Sequence, residues 1–435
     1  MRELLSPLDD RYADKTAELL PYFSNVAQVN LKGQIELDYL TRLLDKIGKE
    51  LTVTQARSIE GICETIDVDR IKELEKSTKH DIKAIELYLI ERFKKNNLSD
   101  FIPYIHFGLT SQDVNSLCTS TMVRLFIDDV AKHTYGQLIE KLKTFADECD
   151  VVMPARTHGQ VAVPTTLKKE IAVYVSRLTA QYEKLMTFEV KCKFGGAVGN
   201  LSAHHVAYPE IDWSSFADSF CADYRLVRHK LTTQVDDNDW LAEFFNLLTR
   251  INCILIDFCR DMWLYYSFGY FKKSVTRDEV GSSTMPQKIN PIEFENAEGN
   301  LEFANAMLTF MASKLQVSRL QRDLTDTTVI RNIGVPLGHC LIAIKSISSG
   351  VSCITPNSTK ISADLDSHPE MLAEAIQTIL RREGLPDAYE AVKHLTRGEN
   401  LTQSKIVELL EELKVSGPVK LEILALTPAV YVTHV

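Results

Sequence analysis

The densest group of reactive side chains lies in the segment GSSTMPQKINP, residues 281–291. Two serines, a lysine and an asparagine stand together where a glycine and two prolines prevent a continuous helix. The Asn-Pro pair at its end predicts a helix start, with Asn290 as the cap and Pro291 as the first helical residue. The N–H groups of that helix and the Lys288 ammonium would attract an anion. The alternative is a polar surface loop that only connects two helices.

A histidine that could move a proton lies in a second interruption, MPARTHGQ, residues 153–160. His158 stands in a loop bounded by proline and glycine and does not lie on an apolar helix face. Because imidazole titrates near neutral pH, it is the natural general acid at that pH. A loop histidine is also often a solvated or structural residue. On these grounds alone, His158 is a candidate acid.

A third interruption, TSQD at residues 110–113, places hydroxyls at the start of a helix. Thr110 and Asp113 have the spacing of a capping box. Capping and binding are compatible, because a cap also gathers hydroxyls and N–H groups at a helix N-terminus. Smaller candidates are Arg11-Tyr12, Lys79-His80-Asp81 and Gln234.

Two arginines, Arg322 and Arg331, stand nine positions apart in QRDLTDTTVIR. On one straight helix they would face opposite sides. They can converge only if the helix breaks between them, and Asp323, Thr325 and Asp326 favour such a break. Two arginines beside a helix start would hold a phosphate well. The alternative is a pair of solvated arginines on successive helices.

Long helices must position these groups. From Leu241 onward, apolar residues recur mainly at spacings of three and four and also fill other faces, as in a helix buried among helices. Similar patterns predict long helices over residues 116–146, 166–190, 293–315 and 328–349. No NG or DG hairpin dipeptide separates two alternating runs, and strands do not alternate with helices. The sequence therefore predicts an all-α fold with a central bundle of long helices.

Two boundaries divide the chain, FIPYIHFGLTSQD and the polar stretch ITPNSTKISADLDSHPE. They predict three domains: an N-terminal helical domain over 1–109, a central long-helix bundle over 110–353, and a C-terminal helical domain over 354–435.

Composition narrows the class of protein. The 435 residues carry a net charge of −10 and are 45% hydrophobic, as in a globular chain whose partner is not nucleic acid. Nine cysteines without a CxxC pair predict reduced thiols. We find no signal peptide, no stretch that could span a bilayer and no metal-ligand set, and therefore expect a cytoplasmic protein that uses no cofactor or metal.

The segment GSSTMPQKINP resembles the signature of the fumarase/aspartase superfamily, whose members eliminate fumarate from a succinyl group. Other segments are similar to those of the adenylosuccinate lyases, and their spacing is closest to the bacterial branch. These segments are SPLDDRY, STKHD, FGLTSQDVN, ARTHGQVAVPTT, GGAVGN, AYPEIDW, LTTQV, SRLQRDLTDTTVIRN, LTRGE and LTPAVY. The resemblance covers essentially the whole chain.

This resemblance implies an all-α homotetramer with a twenty-helix core, in which each active site draws on three subunits. It implies β-elimination of fumarate from adenylosuccinate to give AMP. It also implies the same reaction on succinylaminoimidazole carboxamide ribotide (SAICAR) to give AICAR, within purine nucleotide biosynthesis.

The resemblance also implies a role for individual residues. His158 matches the general acid and Ser282 the general base, while Ser283, Lys288 and Asn290 match groups that bind the fumarate carboxylates. Nucleotide and phosphate binders are matched by Arg322, Thr327 and Arg331. Further substrate-binding positions are Arg11, Tyr12, His80, Asp81, Thr110, Ser111, Thr157, Gln234, Glu295 and Asn296.

Two departures from the family pattern concern the substrate. Thr327 replaces a common serine and keeps the hydroxyl, whereas Gln287 replaces a common histidine or tyrosine and is familiar in argininosuccinate lyases. Argininosuccinate lyase, or another fumarate-releasing lyase, is thus the nearest alternative, although its substrate lacks the phosphate that the arginines would bind. A structural protein derived from this fold and a nucleotide-binding regulator are more distant alternatives. Chemistry alone leaves open which of Ser282 and Ser283 is the base.

Overall fold

A computed structural model of the chain describes residues 4–274, 285, 287–396 and 401–432. Within these residues the chain forms twenty α-helices and six short β-strands. The α-helices are α1 (Ala13–Thr16), α2 (Leu20–Phe23), α3 (Asn25–Lys46), α4 (Val53–Glu64), α5 (Val68–Thr78), α6 (Asp81–Lys95), α7 (Ser111–Leu125), α8 (Lys132–Glu148), α9 (Leu167–Met186), α10 (Ser202–Ala207), α11 (Trp213–Asp223), α12 (Asp239–Ser267), α13 (Ile292–Leu315), α14 (Thr325–Ile330), α15 (Gly334–Cys353), α16 (Ser358–Asp366), α17 (Ala373–Arg382), α18 (Ala388–Thr396), α19 (Gln403–Glu412) and α20 (Gly417–Leu424).

The strands pair into three two-stranded sheets. The antiparallel pairs are β1 (Val152–Thr157) with β2 (Gln160–Thr166) and β5 (Phe271–Lys273) with β6 (Ile354–Pro356), and the parallel pair is β3 (Lys191–Lys193) with β4 (Val227–His229). The chain is therefore mainly helical, as predicted. The sequence interpretation missed the hairpin β1–β2, which it took for a loop.

The chain divides into two compact units, each assembled from three stretches of sequence. The first comprises Met1–Gly136, Gln181–Cys253 and Gly299–Ile344, and the second comprises Gln137–Ala180, Ile254–Glu298 and Lys345–Val435. The division into three domains at residues 109 and 353 stays a prediction.

In the first unit, α3 lies in an aromatic core. Its N-terminus is capped by Ser24, whose hydroxyl accepts the Ala27 N–H at 3.1 Å. Tyr39, further along the helix, is completely buried and packs against Phe194 and Phe220 with ring centroids 5.8 and 5.7 Å apart. These contacts hold α3 against α11 and against the segment that follows β3.

The helix predicted over residues 116–146 begins earlier, at Ser111. The Asp113 carboxylate accepts the Thr110 N–H at 2.8 Å, which is the reciprocal bond of the predicted capping box. The helix runs on through a π-helical segment, Phe126–Ala131, into α8. The cap therefore fixes where the hydroxyls of Thr110 and Ser111 stand relative to the helix.

The last helices of the second unit share an apolar core. Leu380, Ala388 and Leu410 are among its most buried members, at 0–1% exposure. These side chains come from α17, α18 and α19, so the short helices are stabilised by packing against one another.

The prediction that no stretch could span a bilayer is wrong by length and composition: within the described residues, Thr325–Cys353 contains an 18-residue window with a mean hydropathy of 1.3. In the fold, 56% of that window is buried inside the protein, and α15 contributes completely buried side chains such as Leu337 and Ile347. The core helix of a globular protein can have the length and composition of a membrane span. Because this stretch is mostly buried inside the protein, we assign it to the core.

Candidate active site

His158 lies at the tip of the hairpin β1–β2. Thr157 pairs with Gln160, which leaves a two-residue turn of His158 and Gly159. Both turn residues have positive φ, 52° and 77°, as a type I′ turn requires. Because this turn matches the twist of the two strands, it holds His158 exposed at the end of a defined element. The signal was missed because His-Gly is not one of the common hairpin dipeptides.

This hairpin is tied to α16 close to its tip. Arg156 Nη2 lies 3.2 Å from Asp364 Oδ2, and the Tyr270 hydroxyl also donates to Asp364. The Arg156 guanidinium lies 4.9 Å from the centroid of the Phe268 ring. The strand that leads to the histidine is therefore anchored two residues before it.

The segment before α13 carries Lys288 and Asn290, whereas Ser282 and Ser283 lie outside the described residues. Lys288 is exposed. The helix begins at Ile292, and the carbonyl of Pro291 accepts the Phe294 N–H at 3.1 Å. The predicted cap at Asn290 is therefore wrong by one residue, since Pro291 supplies the first helical acceptor.

A lysine with a buried side chain stabilises the backbone just before α13. Lys273 Nζ donates to the Asn290 carbonyl at 3.3 Å and pairs with the Glu293 carboxylate at 2.9 Å. Its side chain is 2% exposed. The Tyr266 hydroxyl donates to the Ile289 carbonyl at 3.1 Å. Two side chains thus fix the backbone beside Asn290.

Glu295 and Asn296 form contacts on the first turn of α13. Trp263 Nε1 donates to Glu295 Oε1 at 3.0 Å, and Ser346 Oγ donates to Asn296 Oδ1 at 2.8 Å. Both predicted substrate positions are therefore partly engaged by other helices of the second unit.

In the first unit, His80 meets Ser111. Lys79 ends α5 in the left-handed conformation with φ of 53°, and His80 then caps α6 by accepting the Lys83 N–H on Nδ1 at 3.2 Å. A neutral ring with an accepting Nδ1 carries its proton on Nε2. Nε2 lies 3.3 Å from Ser111 Oγ, so the cap directs the ring toward this hydroxyl.

Asp81, Thr327 and Arg331 line one cleft of about 700 Å³, counting the part open to solvent. Lys32, on α3, also lines it and binds Asp81 Oδ2 at 2.8 Å. Burial alone would raise the pKa of Asp81, but Lys32, with a further contribution from Arg331, holds that pKa below its ordinary value. Oppositely charged groups therefore face one another in this cleft.

The predicted helix break is present but begins earlier than expected, because it already contains Arg322, and Thr325 and Asp326 belong to the next helix. Helix α13 ends at Leu315 and α14 begins at Thr325. Arg322 Nη1 donates to Gln234 Oε1 at 3.0 Å, which brings together two predicted residues 88 positions apart. The Thr327 hydroxyl donates to Asp326 Oδ1 at 3.1 Å.

The remaining candidates, Arg11 and Tyr12, stand directly before α1. Arg11 is exposed, and the Tyr12 carbonyl accepts the Thr16 hydroxyl at 3.1 Å.

Several charged residues near predicted ones were not singled out from the sequence. Lys32 binds Asp81 and Lys273 donates to the Asn290 carbonyl, whereas Lys193 binds Asp113 and Arg156 binds Asp364. Lysines are rarely buried, and nothing in the local pattern marks these as exceptions.

Comparison with known proteins bears on the whole chain. Residues 10–305 match the lyase family, and residues 318–432 match the adenylosuccinate lyase C-terminal family. Adenylosuccinate lyases from Dictyostelium discoideum, Haemophilus influenzae and Escherichia coli K12 are 42%, 41% and 41% identical, and each alignment covers 98% of this chain and 96% of the relative.

Solved structures of lower identity share the fold. A fumarate lyase from Mesorhizobium sp. BNC1 has a TM-score of 0.75 at 18% identity, with 96% of this chain and 95% of that chain covered. The 3-carboxy-cis,cis-muconate lactonizing enzyme from Pseudomonas putida has a TM-score of 0.77 at 21% identity, with 98% and 96% covered. Two family matches and full-length identity near 40% agree with the resemblance drawn from the motifs, and the chain belongs to the adenylosuccinate lyase family of enzymes.

Proposed function

We propose that this lyase eliminates fumarate from adenylosuccinate to give AMP, and from SAICAR to give AICAR. The observation that carries the proposal is full-length similarity to adenylosuccinate lyases, at about 40% identity and with the family's C-terminal region included. The pairing of Arg322 with Gln234, and the presence of Lys32 and Arg331 in one cleft, support a phosphate-bearing substrate.

His158 is the proposed general acid. The reaction breaks a C–N bond and an adjacent C–H bond, so the leaving amine needs a proton, which an imidazolium can give. The exposed position of His158 at the end of an anchored hairpin suits a group that must reach a substrate. Ser282 is the proposed base that removes the carbon-bound proton.

Lys288 and Asn290 are the proposed partners of the charge that develops during this step. Loss of a proton beside a carboxylate builds negative charge on that carboxylate, an aci-carboxylate. Lys288, Asn290 and Ser283 would bind the fumarate carboxylates, and the same positive surroundings would favour the Ser282 alkoxide. The elimination involves no redox change, so the proposed mechanism uses no cofactor and no metal.

The other predicted residues are proposed to bind the nucleotide. Arg322, Thr327 and Arg331 would hold the phosphate. The proposed further substrate contacts are Arg11, Tyr12, His80, Asp81, Thr110, Ser111, Thr157, Gln234, Glu295 and Asn296.

We also propose a cytoplasmic homotetramer whose active sites each draw on three subunits. Large apolar side chains are exposed on α12 and α13, including Trp263 at 43%, Phe303 at 55% and Phe310 at 55%. Exposed apolar surface of this kind is typical of an interface between subunits. All nine cysteines are free thiols, as in a reducing compartment.

The test is an ultraviolet assay with the purified protein and adenylosuccinate, which follows the purine spectrum and the appearance of fumarate. We expect turnover of adenylosuccinate and no cleavage of argininosuccinate. Cleavage of argininosuccinate alone would show that the arginines do not serve as phosphate binders. No turnover of either substrate would contradict the proposed reaction. Sedimentation of the same sample should give the mass of four chains.

A further inference from the structure

The carboxylate of Asp113 is completely buried near the start of α7 and gathers four donors. Its Oδ1 accepts Lys193 Nζ at 2.6 Å, the Gly195 N–H at 2.8 Å and the Gly196 N–H at 3.1 Å. Its Oδ2 accepts the Thr110 N–H at 2.8 Å and shares the Gly196 N–H at 3.1 Å. Lys193 Nζ also donates to the Gly196 carbonyl at 2.7 Å. Both side chains of the pair are 0% exposed.

A pair buried this deeply adds little net stability. Removing two charges from water costs about as much free energy as their attraction returns. Apolar side chains of similar volume would often serve the fold equally well. The contacts of Asp113 hold two parts of the backbone together. They join the start of α7 to the loop 195–200, whose first residue, Gly195, lies 82 positions after Asp113.

The near side of this junction carries Ser111, one residue after Thr110. Ser111 Oγ lies 3.3 Å from His80 Nε2, and both residues are predicted substrate contacts. Asp113 therefore fixes the backbone that presents Ser111 to His80.

The far side carries Gln234 and Arg322. Gln234 Nε2 donates to the Ala197 carbonyl at 2.8 Å, and its Oε1 accepts Arg322 Nη1 at 3.0 Å. The loop also packs backbone to backbone: a Cβ on Gly199, which has φ of +84°, would lie 2.2 Å from the Thr232 carbonyl oxygen. The segment just before Gln234 must therefore follow any movement of the loop.

We propose that the Asp113–Lys193 pair is a positioning unit of the substrate site. It sets the spacing between Ser111 on one side and the Gln234–Arg322 pair on the other, through the backbone of Gly195 and Gly196. The inference rests on the proposed function, because that function defines what the two sides bind. The unit touches no reacting atom and acts through the residues that it holds.

The first variant is Asp113→Asn in the full-length protein. The amide keeps the volume but directs its NH₂ group at a donor and removes the charge that Lys193 needs. We expect kcat/KM for adenylosuccinate to fall by about tenfold to a hundredfold, mostly through KM, because small displacements of binding groups have effects of that size. Circular dichroism below the melting temperature establishes that the variant is folded. If it is not folded, Lys193→Met replaces it throughout.

The deciding measurement is a double-mutant cycle with Gln234→Ala. If the pair acts through the loop and Gln234, the double variant should lose about as much kcat/KM as the more damaged single variant. A loss equal to the product of the two single losses would overturn the proposal, and so would a folded Asp113→Asn with wild-type KM. Inactive wild-type protein would instead refute the proposed function, so the two failures are distinct.

Tyr224→Phe is the matched control. It removes another hydrogen bond of the first unit, from the Tyr224 hydroxyl to Asp38 Oδ2 at 2.6 Å, in which no residue of the loop 195–200 takes part. We expect a lower melting temperature, kcat/KM within about twofold of wild type, and effects that multiply with those of Gln234→Ala. A control that raises KM as much as Asp113→Asn does would show that loss of stability explains both, and the proposal would fall.

Discussion

The hairpin that carries His158 and the cluster around Asp113 both present polar groups on a fixed backbone, but they do so in different ways. His158 stands on a two-residue turn, exposed, with its nearest anchor at Arg156. Asp113 has 0% exposure and is held by four donors, one from the start of its own helix and three from the distant segment 193–196. A side chain that must approach a substrate gains from an exposed tip, whereas the spacing of several binding groups is kept best by a buried junction. The two regions should therefore fail differently when they are altered.

The largest expected effect is at the hairpin tip. His158→Ala should lower kcat by about 10²- to 10⁴-fold, the usual contribution of a general acid, while the fold stays intact because the side chain is exposed. Steady-state kinetics on adenylosuccinate and circular dichroism measure the two quantities. Near-normal kcat would show that His158 is not the general acid, and the hairpin tip would then not be the part that approaches the substrate.

At the cleft of the first unit, the expected change is in binding. Arg331→Ala should raise KM by about tenfold to a hundredfold with a smaller change in kcat, as expected for the loss of a hydrogen bond to a charged group. Arg319→Ala is the control, since Arg319 is 78% exposed and pairs with Asp323 at 3.3 Å. An unchanged KM in Arg331→Ala, or an equal rise in Arg319→Ala, would contradict the phosphate role.

The turn itself can be tested at Gly159. Its φ of +77° is unfavourable for a residue with a Cβ by about 1–2 kcal/mol, although a Cβ there would meet no atom within 4 Å. Gly159→Ala should therefore loosen the tip and lower kcat several-fold. Gly384→Ala imposes the same strain at φ of +83°, also with no atom within 4 Å, and should leave kcat unchanged. Equal kinetics in the two variants would show that the turn geometry does not matter for turnover.

The smallest expected effect is on stability in acid. The pKa of Asp81 lies below its ordinary value of 3.8 in the folded protein, so its ion pair stabilises the fold above that value. This contribution is lost as the pH falls through the lowered pKa. Asp81→Asn and Lys32→Met should both flatten the fall of the melting temperature between pH 5 and pH 3. If either variant loses as much melting temperature between pH 5 and pH 3 as the wild type, the ion pair does not make this contribution.

Much of this architecture could be predicted from sequence periodicity. The apolar spacing from Leu241 predicted α12, the Thr110–Asp113 pattern predicted the cap of α7, and the polar residues after Arg322 predicted a helix break. The family resemblance is confirmed by the comparisons. Each of these signals is local, or is a run of motifs along the chain.

What the sequence left out depends on contacts between distant residues. The Lys193–Asp113 pair joins positions 80 apart, and a lysine carries no local sign that it will be buried. The hairpin was missed for another reason: a histidine with φ of 52° occupies a turn position usually taken by asparagine, aspartate or glycine. Long-range pairing and an unusual turn residue thus account for both gaps.

We propose that the His158 hairpin of one chain and the Arg331 cleft of another serve one active site, and mixing two defective proteins tests this proposal. His158→Ala and Arg331→Ala, each nearly inactive at low adenylosuccinate, would be mixed, dissociated and reassembled. We predict that activity returns, because some sites of a hybrid tetramer then combine an intact His158 with an intact Arg331. Reassembled hybrids that contain both variants and show no activity beyond the two separate proteins would contradict a site shared between subunits.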